Sequence, residues 1–410
     1  MALKFPIFMD HDSTTPMEPE VLEAMLPYFR EKFGHAASRS HSFGWEAEEA
    51  VEKARAQIAG VLGCKSAELV FTSGATESCN LAMKGVAWAY REKGNHIVTS
   101  KIEHTAVLDT CKRLEKEGFE ATFLPVDRYG LVDPDDVKKA ITERTILISI
   151  MVANHEIGTI EPIAEIGRIA KEKGVLFHTD AADAFGKIPC KVDGLNVDLM
   201  SISGHKIYGP KGIGALYIRM GRPRVKLIPL IDGGGHEKGR RSGTLNVPAI
   251  VGFGKAAEIA ERVMEEDAER LSALRERLKQ RLFENLDYVH LNGHPERRLP
   301  GNLNISFEFV EGESILMSVN RYVALSSGSA CTTATLEPSS VMMAHGVGEE
   351  LAHTSIRFSL GRYNTEEEVD FVAEKFIETI KKLRQMSPLY EMVLQGIDLK
   401  AIQWSAGVMK

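Results

Sequence analysis

The chain has 410 residues, of which 44% are hydrophobic and 26% are charged. This is the composition of a globular protein, and the length favours two domains over a single core. The formal net charge of −7 argues against general nucleic-acid binding, and no apolar run approaches the roughly 20 residues of a membrane span.

Short apolar runs alternate with amphipathic segments from about residue 16 to residue 262. Segments between several of the runs, such as Pro162–Lys173, are predicted to be helices. Such alternation predicts an α/β fold with a mostly parallel seven-stranded sheet covered by helices on both faces. The predicted strands are Glu68–Thr72, His96–Ser100, Ala121–Val126, Ile146–Ala153, Val175–His178, Asp198–Ser201 and Gly214–Ile218.

The pattern changes in the last third of the chain. A charged helix is predicted over Arg262–Leu286, a strand over Asn302–Phe309, and a further helix from the capping-box-like segment Asn364–Glu368. Strands mixed with long helices predict a smaller α+β domain. We therefore expect a large domain over 16–262 and a small one formed by 1–15 and 263–410.

Ligands of open α/β sheets gather at the carboxyl ends of the strands, so reactive residues are expected there. The segment Ser73–Ser78 is a glycine turn that enters a helix, and free N–H groups at a helix start suit a phosphate. Taken alone, the motif is better explained by an ordinary capped strand–helix turn. Asp180 follows the strand Val175–His178 and is either a partner for a protonated ring nitrogen or a helix cap.

Lys206 closes the segment Ser201–Lys206 behind the strand Asp198–Ser201 and is a candidate Schiff-base former. Most lysines are surface charges, but the functional interpretation of Lys206 is strengthened by the two motifs that precede it on the same predicted sheet. A phosphate turn, a strand-end aspartate and a strand-end lysine are what pyridoxal phosphate requires.

Two later residues also predict chemistry. Cys331 lies among small polar residues in Leu325–Thr333, which suits an exposed nucleophilic thiol, whereas the other four cysteines have a structural pattern. The wide spacing of all five predicts neither disulfides nor a metal site, and no secretion signal is evident, so a reducing cytoplasm is expected. Arg357 lies in an apolar strand and is either a carboxylate-binding fork or half of a structural ion pair.

The sequence resembles the IscS/NifS family of cysteine desulfurases, which are fold-type I pyridoxal-phosphate enzymes. The resemblance covers nearly the whole chain and includes the stretches ELVFTSGATES, LMSISGHKIYGPKGIGALYIR, GGGHEKGRRSGTLNVP and SSGSACT. It implies conversion of L-cysteine to L-alanine, with the sulfur held as a persulfide on Cys331. The ending, SPLYEMVLQGIDLKAIQW, is similar to the family's docking tail for an iron–sulfur scaffold protein, and tRNA thiolation is a further expected destination of the sulfur.

The resemblance also implies roles for individual residues. Lys206 would bind the cofactor covalently and move protons, Asp180 would pair with the ring nitrogen, and His104 would stack on the ring. Thr244 would reach the phosphate in a neighbouring subunit, which implies a homodimer. The residues expected to hold the phosphate are Ala75, Thr76, Ser203 and His205. Those expected to bind the substrate are Arg357 and Asn154.

Several positions depart from the family pattern. His155 stands where the family has Asn, and Asp183 stands where it has Gln, and both positions belong to the cofactor site. An anionic Asp183 would repel the phenolate oxygen of the cofactor, and a protonated His155 would offset that repulsion. We therefore expect the two changes to compensate each other. Further departures are Ser13, His35, Ala36, Cys79 and Ser340.

These departures leave other functions open. A related pyridoxal-phosphate lyase or aminotransferase, such as a selenocysteine lyase, would keep Lys206 and Asp180 but would not need Cys331. A scaffold-docking protein with a weakened site would need neither Lys206 nor Cys331, and the presence of both favours the desulfurase.

Overall fold

The computed structural model of the chain describes residues 3–221, 224–327 and 338–397. The strands are β1 (Ile7–Phe8), β2 (Leu69–Thr72), β3 (His96–Ser100), β4 (Glu120–Leu124), β5 (Thr145–Ser149), β6 (Leu176–Asp180), β7 (Leu199–Ser203), β8 (Gly214–Ile218), β9 (Val289–Asn292), β10 (Asn302–Phe307), β11 (Val323–Ala324), β12 (Ser326–Ser327) and β13 (Ser355–Ser359).

The helices surround these strands. They are α1 (Pro19–Met25), α2 (Pro27–Arg30), α3 (Ser42–Leu62), α4 (Ala75–Ala89), α5 (Thr105–Glu115), α6 (Pro134–Ala140), α7 (Ile163–Lys173), α8 (Val192–Leu195), α9 (Val247–Asn285), α10 (Gly312–Val319), α11 (Ser340–Ala344), α12 (Glu349–His353), α13 (Glu366–Gln385) and α14 (Pro388–Leu394). In the part of the chain described, none of them is long and apolar enough to cross a membrane.

The main sheet has seven strands in the order β2-β8-β7-β6-β5-β3-β4. Only β8 runs antiparallel to its neighbours, so the predicted mostly parallel seven-stranded sheet is confirmed. The predicted strand Ile146–Ala153 ends early, at Ser149. The residues beyond still donate to β6, from Ile150 N to His178 O and from Val152 N to Asp180 O, before the chain turns away from the sheet.

A second sheet is antiparallel, with the order β12-β13-β10-β9, and β1 pairs with β11. Its core contains Phe358 and Phe376 together with Ile7 and Met9 from the start of the chain. The main sheet packs against two other clusters, one that includes Phe253 and one that includes Leu216. The expected division into domains at 15/16 and 262/263 stays a prediction.

Helix α9 is longer than the predicted Arg262–Leu286, because it begins fifteen residues earlier, at Val247. Asn246 caps its start by accepting a hydrogen bond from Ala249 N. The added turns contain Gly252 and Gly254, which lower helix propensity and hid the helix from pattern reading. A Cβ at Gly254 would lie 2.6 Å from Ala54, so glycine lets α3 and α9 approach closely.

Candidate active site

One cleft lies at the carboxyl edge of the main sheet, where β2, β6 and β7 end. Its volume is about 450 Å³. Because β6 ends at Asp180 and β7 ends at Ser203, both strands deliver side chains to the same place. The predicted site residues that line it are Ala75, Thr76, His104, Asp180, Asp183, Ser203, His205 and Lys206. The cleft therefore gathers predicted residues as far apart in the sequence as Ala75 and Lys206.

One end of the cleft is built to receive an anion. Helix α4 begins there at Ala75, and its first turn presents backbone N–H groups and the positive end of the helix dipole. The buried Ser203 Oγ has no hydrogen-bond partner among the described residues. A Cβ at Gly214 would come within 2.7 Å of the Gly74 backbone, so this turn requires a glycine on the neighbouring strand.

The other end of the cleft holds the lysine and its charged partners. Lys206 Nζ lies 2.8 Å from Asp183 Oδ1 and also donates to the backbone oxygen of Asp12. A second ion pair lies beside it, with Lys187 Nζ 2.8 Å from Asp12 Oδ1. All four side chains are largely withdrawn from solvent.

Asp180 lies on the floor of the cleft between these two ends. Its Oδ1 accepts from Ala182 N at 2.9 Å, and Cys79 Sγ lies 3.5 Å from Oδ2. Burial raises the pKa of Asp180. The neighbouring Glu103 is buried and accepts from Ser100 Oγ at 2.7 Å, and burial raises the pKa of Glu103 to about 8. Glu103, which interacts electrostatically with Asp180, therefore keeps its proton at neutral pH.

Two histidines flank the cleft. The ring centroids of His104 and His155 lie 5.3 Å apart, and the ring planes form an angle of 61°. His104 Nδ1 accepts a hydrogen bond from Ala106 N at the start of α5. Burial lowers the pKa of His155 to about 3, so this ring is neutral at neutral pH. The expected protonated His155 opposite Asp183 is therefore wrong: desolvation outweighs the attraction of Asp183, whose charge is met by lysines instead.

Arg357 reaches the site from β13 of the second sheet. Its Nη2 lies 2.8 Å from Asp10 Oδ1 and 2.6 Å from Ser13 Oγ, and Nη1 donates to His155 O at 3.2 Å. Ser13 lines the cleft, so the guanidinium lies one side chain behind its wall. Arg357 was expected to be either a carboxylate-binding fork or half of a structural ion pair. The structure shows an ion pair, and its partner is Asp10.

Like His155 and Arg357, the predicted residues Asn154 and Thr244 do not line the cleft. Asn154 is buried, donates to Ile102 O at 2.8 Å and accepts from Glu156 N at 2.8 Å, so its amide holds a loop. Thr244 is exposed and does not line this chain's own cleft. The roles assigned to both stay predictions, and Cys331 lies outside the described residues.

Sequence reasoning did not find Asp12, Lys187 or Glu103 as members of the site. Asp12 lies 194 residues before Lys206, and no local pattern links the two. Lys187 has the sequence surroundings of an ordinary turn lysine. The family resemblance assigned a role to His104, whereas the burial of the adjacent Glu103 shows only in the folded chain.

The residues of the cleft fit pyridoxal phosphate. A buried hydroxyl without a partner at a helix N-terminus is a donor set for phosphate oxygens. A strand-end carboxylate suits a ring N–H, and an amine at a neighbouring strand end suits the aldehyde.

Comparisons with known proteins agree with this geometry. The aminotransferase class-V family matches residues 7–372. Cysteine desulfurase IscS of Anaeromyxobacter dehalogenans (strain 2CP-C) is 59% identical over 403 residues, covering 98% of this chain and 99% of that protein. Cysteine desulfurase IscS of Rickettsia felis is 56% identical over 400 residues, covering 98% and 97%.

Solved structures give the same result. A NifS-like protein superposes with a TM-score of 0.86 at 40% identity, covering 92% of this chain and all of that one. A NifS-like protein from Rickettsia africae ESF-5 superposes with a TM-score of 0.79 at 33% identity, covering 92% and 99%. The chain therefore belongs to the aminotransferase class-V family, within its group of IscS and NifS-like cysteine desulfurases.

Proposed function

We propose that this chain uses pyridoxal phosphate to convert L-cysteine to L-alanine and takes the sulfur onto Cys331 as a persulfide. The observation that carries the proposal is the convergence of Lys206, Asp180 and Ser203 on one cleft. The family typically uses this cofactor. When bound, pyridoxal phosphate supplies an electron sink for the substrate carbon.

The chain's own residues would hold the cofactor at three points. Ser203 Oγ and the first N–H groups of α4 would bind the phosphate, joined by Thr76 and His205. Burial lowers the pKa of His205 to about 4, so its ring would act as a neutral hydrogen-bond partner. Asp180 would accept the ring N–H, and Lys206 would bind the aldehyde carbon and then move the proton at the substrate Cα.

The substrate carboxylate would be met by Arg357, which would exchange Ser13 or Asp10 for the ligand. The Cys331 thiolate would attack the substrate sulfur. An S–S bond forms between Cys331 and the substrate sulfur, and the substrate Cβ–S bond breaks. The electron pair of the broken bond remains on the substrate, and Cβ takes a proton to give alanine. This step needs no outside oxidant, because the substrate carbon is reduced as the sulfur is oxidised.

We also propose a homodimer and a sulfur acceptor. The residues around α1–α3 expose Phe29, Phe33 and Phe43 at 59%, 65% and 49%, which favours a protein partner on that face. Thr244 is exposed and would reach the cleft of a second copy. The described part of the tail exposes Leu394 and Ile397, which suits docking of an iron–sulfur scaffold protein. We include other sulfur acceptors, as in tRNA thiolation, in the proposal.

The compartment proposed is the cytoplasm. The four described cysteines are all free thiols, which suits a reducing environment.

The test measures alanine and sulfide from L-cysteine with a thiol reductant, comparing the parent with Cys331→Ala. Equal amounts of both products, lost in the variant while the cofactor's visible band persists, are expected. Cys111→Ala is the matched control, because Cys111 is buried on α5 and should leave product formation intact. A cofactor-loaded parent that makes neither product would contradict the proposal.

A further inference from the structure

Lys206 and Asp183 form an ion pair that faces the cleft. The Nζ–Oδ1 distance is 2.8 Å, and the two side chains are only 13% and 8% exposed. Lys206 follows β7 and Asp183 follows β6, so neighbouring strands fix both ends of the pair. A pair so withdrawn from water is held firmly, because separating it would leave two unmatched buried charges.

The charges around Asp183 come from several elements. Burial by itself opposes ionisation, but Lys206 and Lys187 outweigh it and hold the pKa of the Asp183 carboxyl below its usual range. His155, from the loop after β5, and His205, beside Lys206, are neutral because burial lowers both pKa values.

Two further carboxyl groups face the same region. Asp12, from the N-terminal segment, repels Asp183 but is matched by Lys187. Asp180, on the cleft floor, has its pKa raised by burial. The carboxylate that lies against the Lys206 amine is therefore Asp183.

We propose that Asp183 is a positioning residue that acts as the counter-ion of the Lys206 nitrogen and holds a proton on it, also when that nitrogen carries the cofactor. The inference rests on the proposed function for the identity of the cofactor. The proton exchanges between the Lys206 nitrogen and solvent, and the Asp183 carboxylate stabilises the protonated, positively charged form of that nitrogen. An amide at position 183 could not do this, because it carries no charge.

The experiment titrates the visible absorption band of the cofactor-loaded, full-length protein against pH. Asp183→Asn keeps the shape and removes the charge, so the midpoint of the titration should fall by about one pH unit or more. The midpoint of Asp183→Gln, which restores the residue usual in the family, should also fall. The midpoint of Asp183→Glu should stay close to that of the parent.

Asp12→Asn is the matched control, because it removes an equally buried carboxylate that pairs with Lys187 instead. Its midpoint should move less than that of Asp183→Asn. Equal shifts in both variants, or none in Asp183→Asn and Asp183→Gln, would overturn the inference. A parent that develops no visible band with pyridoxal phosphate would overturn the proposed cofactor, and the inference with it.

Discussion

The two ends of the cleft are prepared for a ligand in opposite ways. At the α4 end, Ser203 Oγ is buried without a partner among the described residues, and the helix N–H groups point at the same space. At the lysine end, Lys206, Asp183, Lys187 and Asp12 are already joined in ion pairs. A ligand therefore adds hydrogen bonds at the first end and must exchange existing partners at the second. We therefore expect the first end to contribute most to ligand affinity and the second to control the protonation of the Lys206 amine.

The largest effect is expected from removing the reactive amine at the lysine end of the cleft. Lys206→Ala removes the amine that would bind the aldehyde, so alanine production should fall to background and the visible band should not form. The α4 end is unchanged in this variant, so pyridoxal phosphate should still bind weakly. Equilibrium dialysis measures this binding. Lys211→Ala, at a neighbouring lysine of the cleft lining, is the control and should retain the band. A band of parental shape in Lys206→Ala would contradict the assignment.

The next effect concerns Glu103, the buried acid near Asp180. The pKa of Glu103 is about 8 in the folded chain, above the 4.5 of an exposed glutamate, so its protonation stabilises the fold fully below pH 4.5. That contribution is lost as the pH rises to about 8, at roughly 1.4 kcal/mol per pH unit. Glu103→Gln should flatten the fall in the free energy of unfolding between these limits, as measured by urea titration.

The control for this prediction is Glu366→Gln, because the Glu366 side chain is 72% exposed. Its unfolding profile should follow the parent. A Glu103→Gln variant with the parent's pH dependence would show that Glu103 is ionised in the fold.

A smaller effect tests the α4 end. Ser203→Ala removes a hydroxyl that would donate to a charged phosphate, so the affinity for pyridoxal phosphate should fall by about 10- to 100-fold. Fluorescence titration of the cofactor measures it. Ser355→Ala is the control, since Ser355 is buried and bonded to Ala352 O outside the cleft. Unchanged affinity in Ser203→Ala would mean that the phosphate lies elsewhere.

The smallest effect lies between the two ends, at Cys79. Its thiol is a weak donor 3.5 Å from Asp180 Oδ2, so Cys79→Ala should change cofactor affinity only about twofold to threefold. The same titration measures this change. A loss above tenfold would show that Cys79, a departure from the family pattern, is needed to hold Asp180 in place.

The sequence alone predicted the strands of the main sheet and the order in which the candidate site residues follow one another along the chain. The strands of the main sheet, the capping box of Thr365 and Glu368, and the succession of phosphate turn, Asp180 and Lys206 are local signals that apolar spacing and turn residues carry. The family resemblance then supplied roles for residues whose own patterns were open. Local patterns were weakest at α9, where glycines required for close packing concealed fifteen residues of helix.

Only the tertiary structure decided which charges meet. Asp183 pairs with a lysine 23 positions away, and Arg357 pairs with Asp10 across 347 positions. It also decided that His155 is neutral and that Glu103 holds its proton, because both follow from the loss of water around a buried group. Burial and long-range Coulomb interactions arise only when distant segments pack together, so no local pattern in the chain can encode them separately.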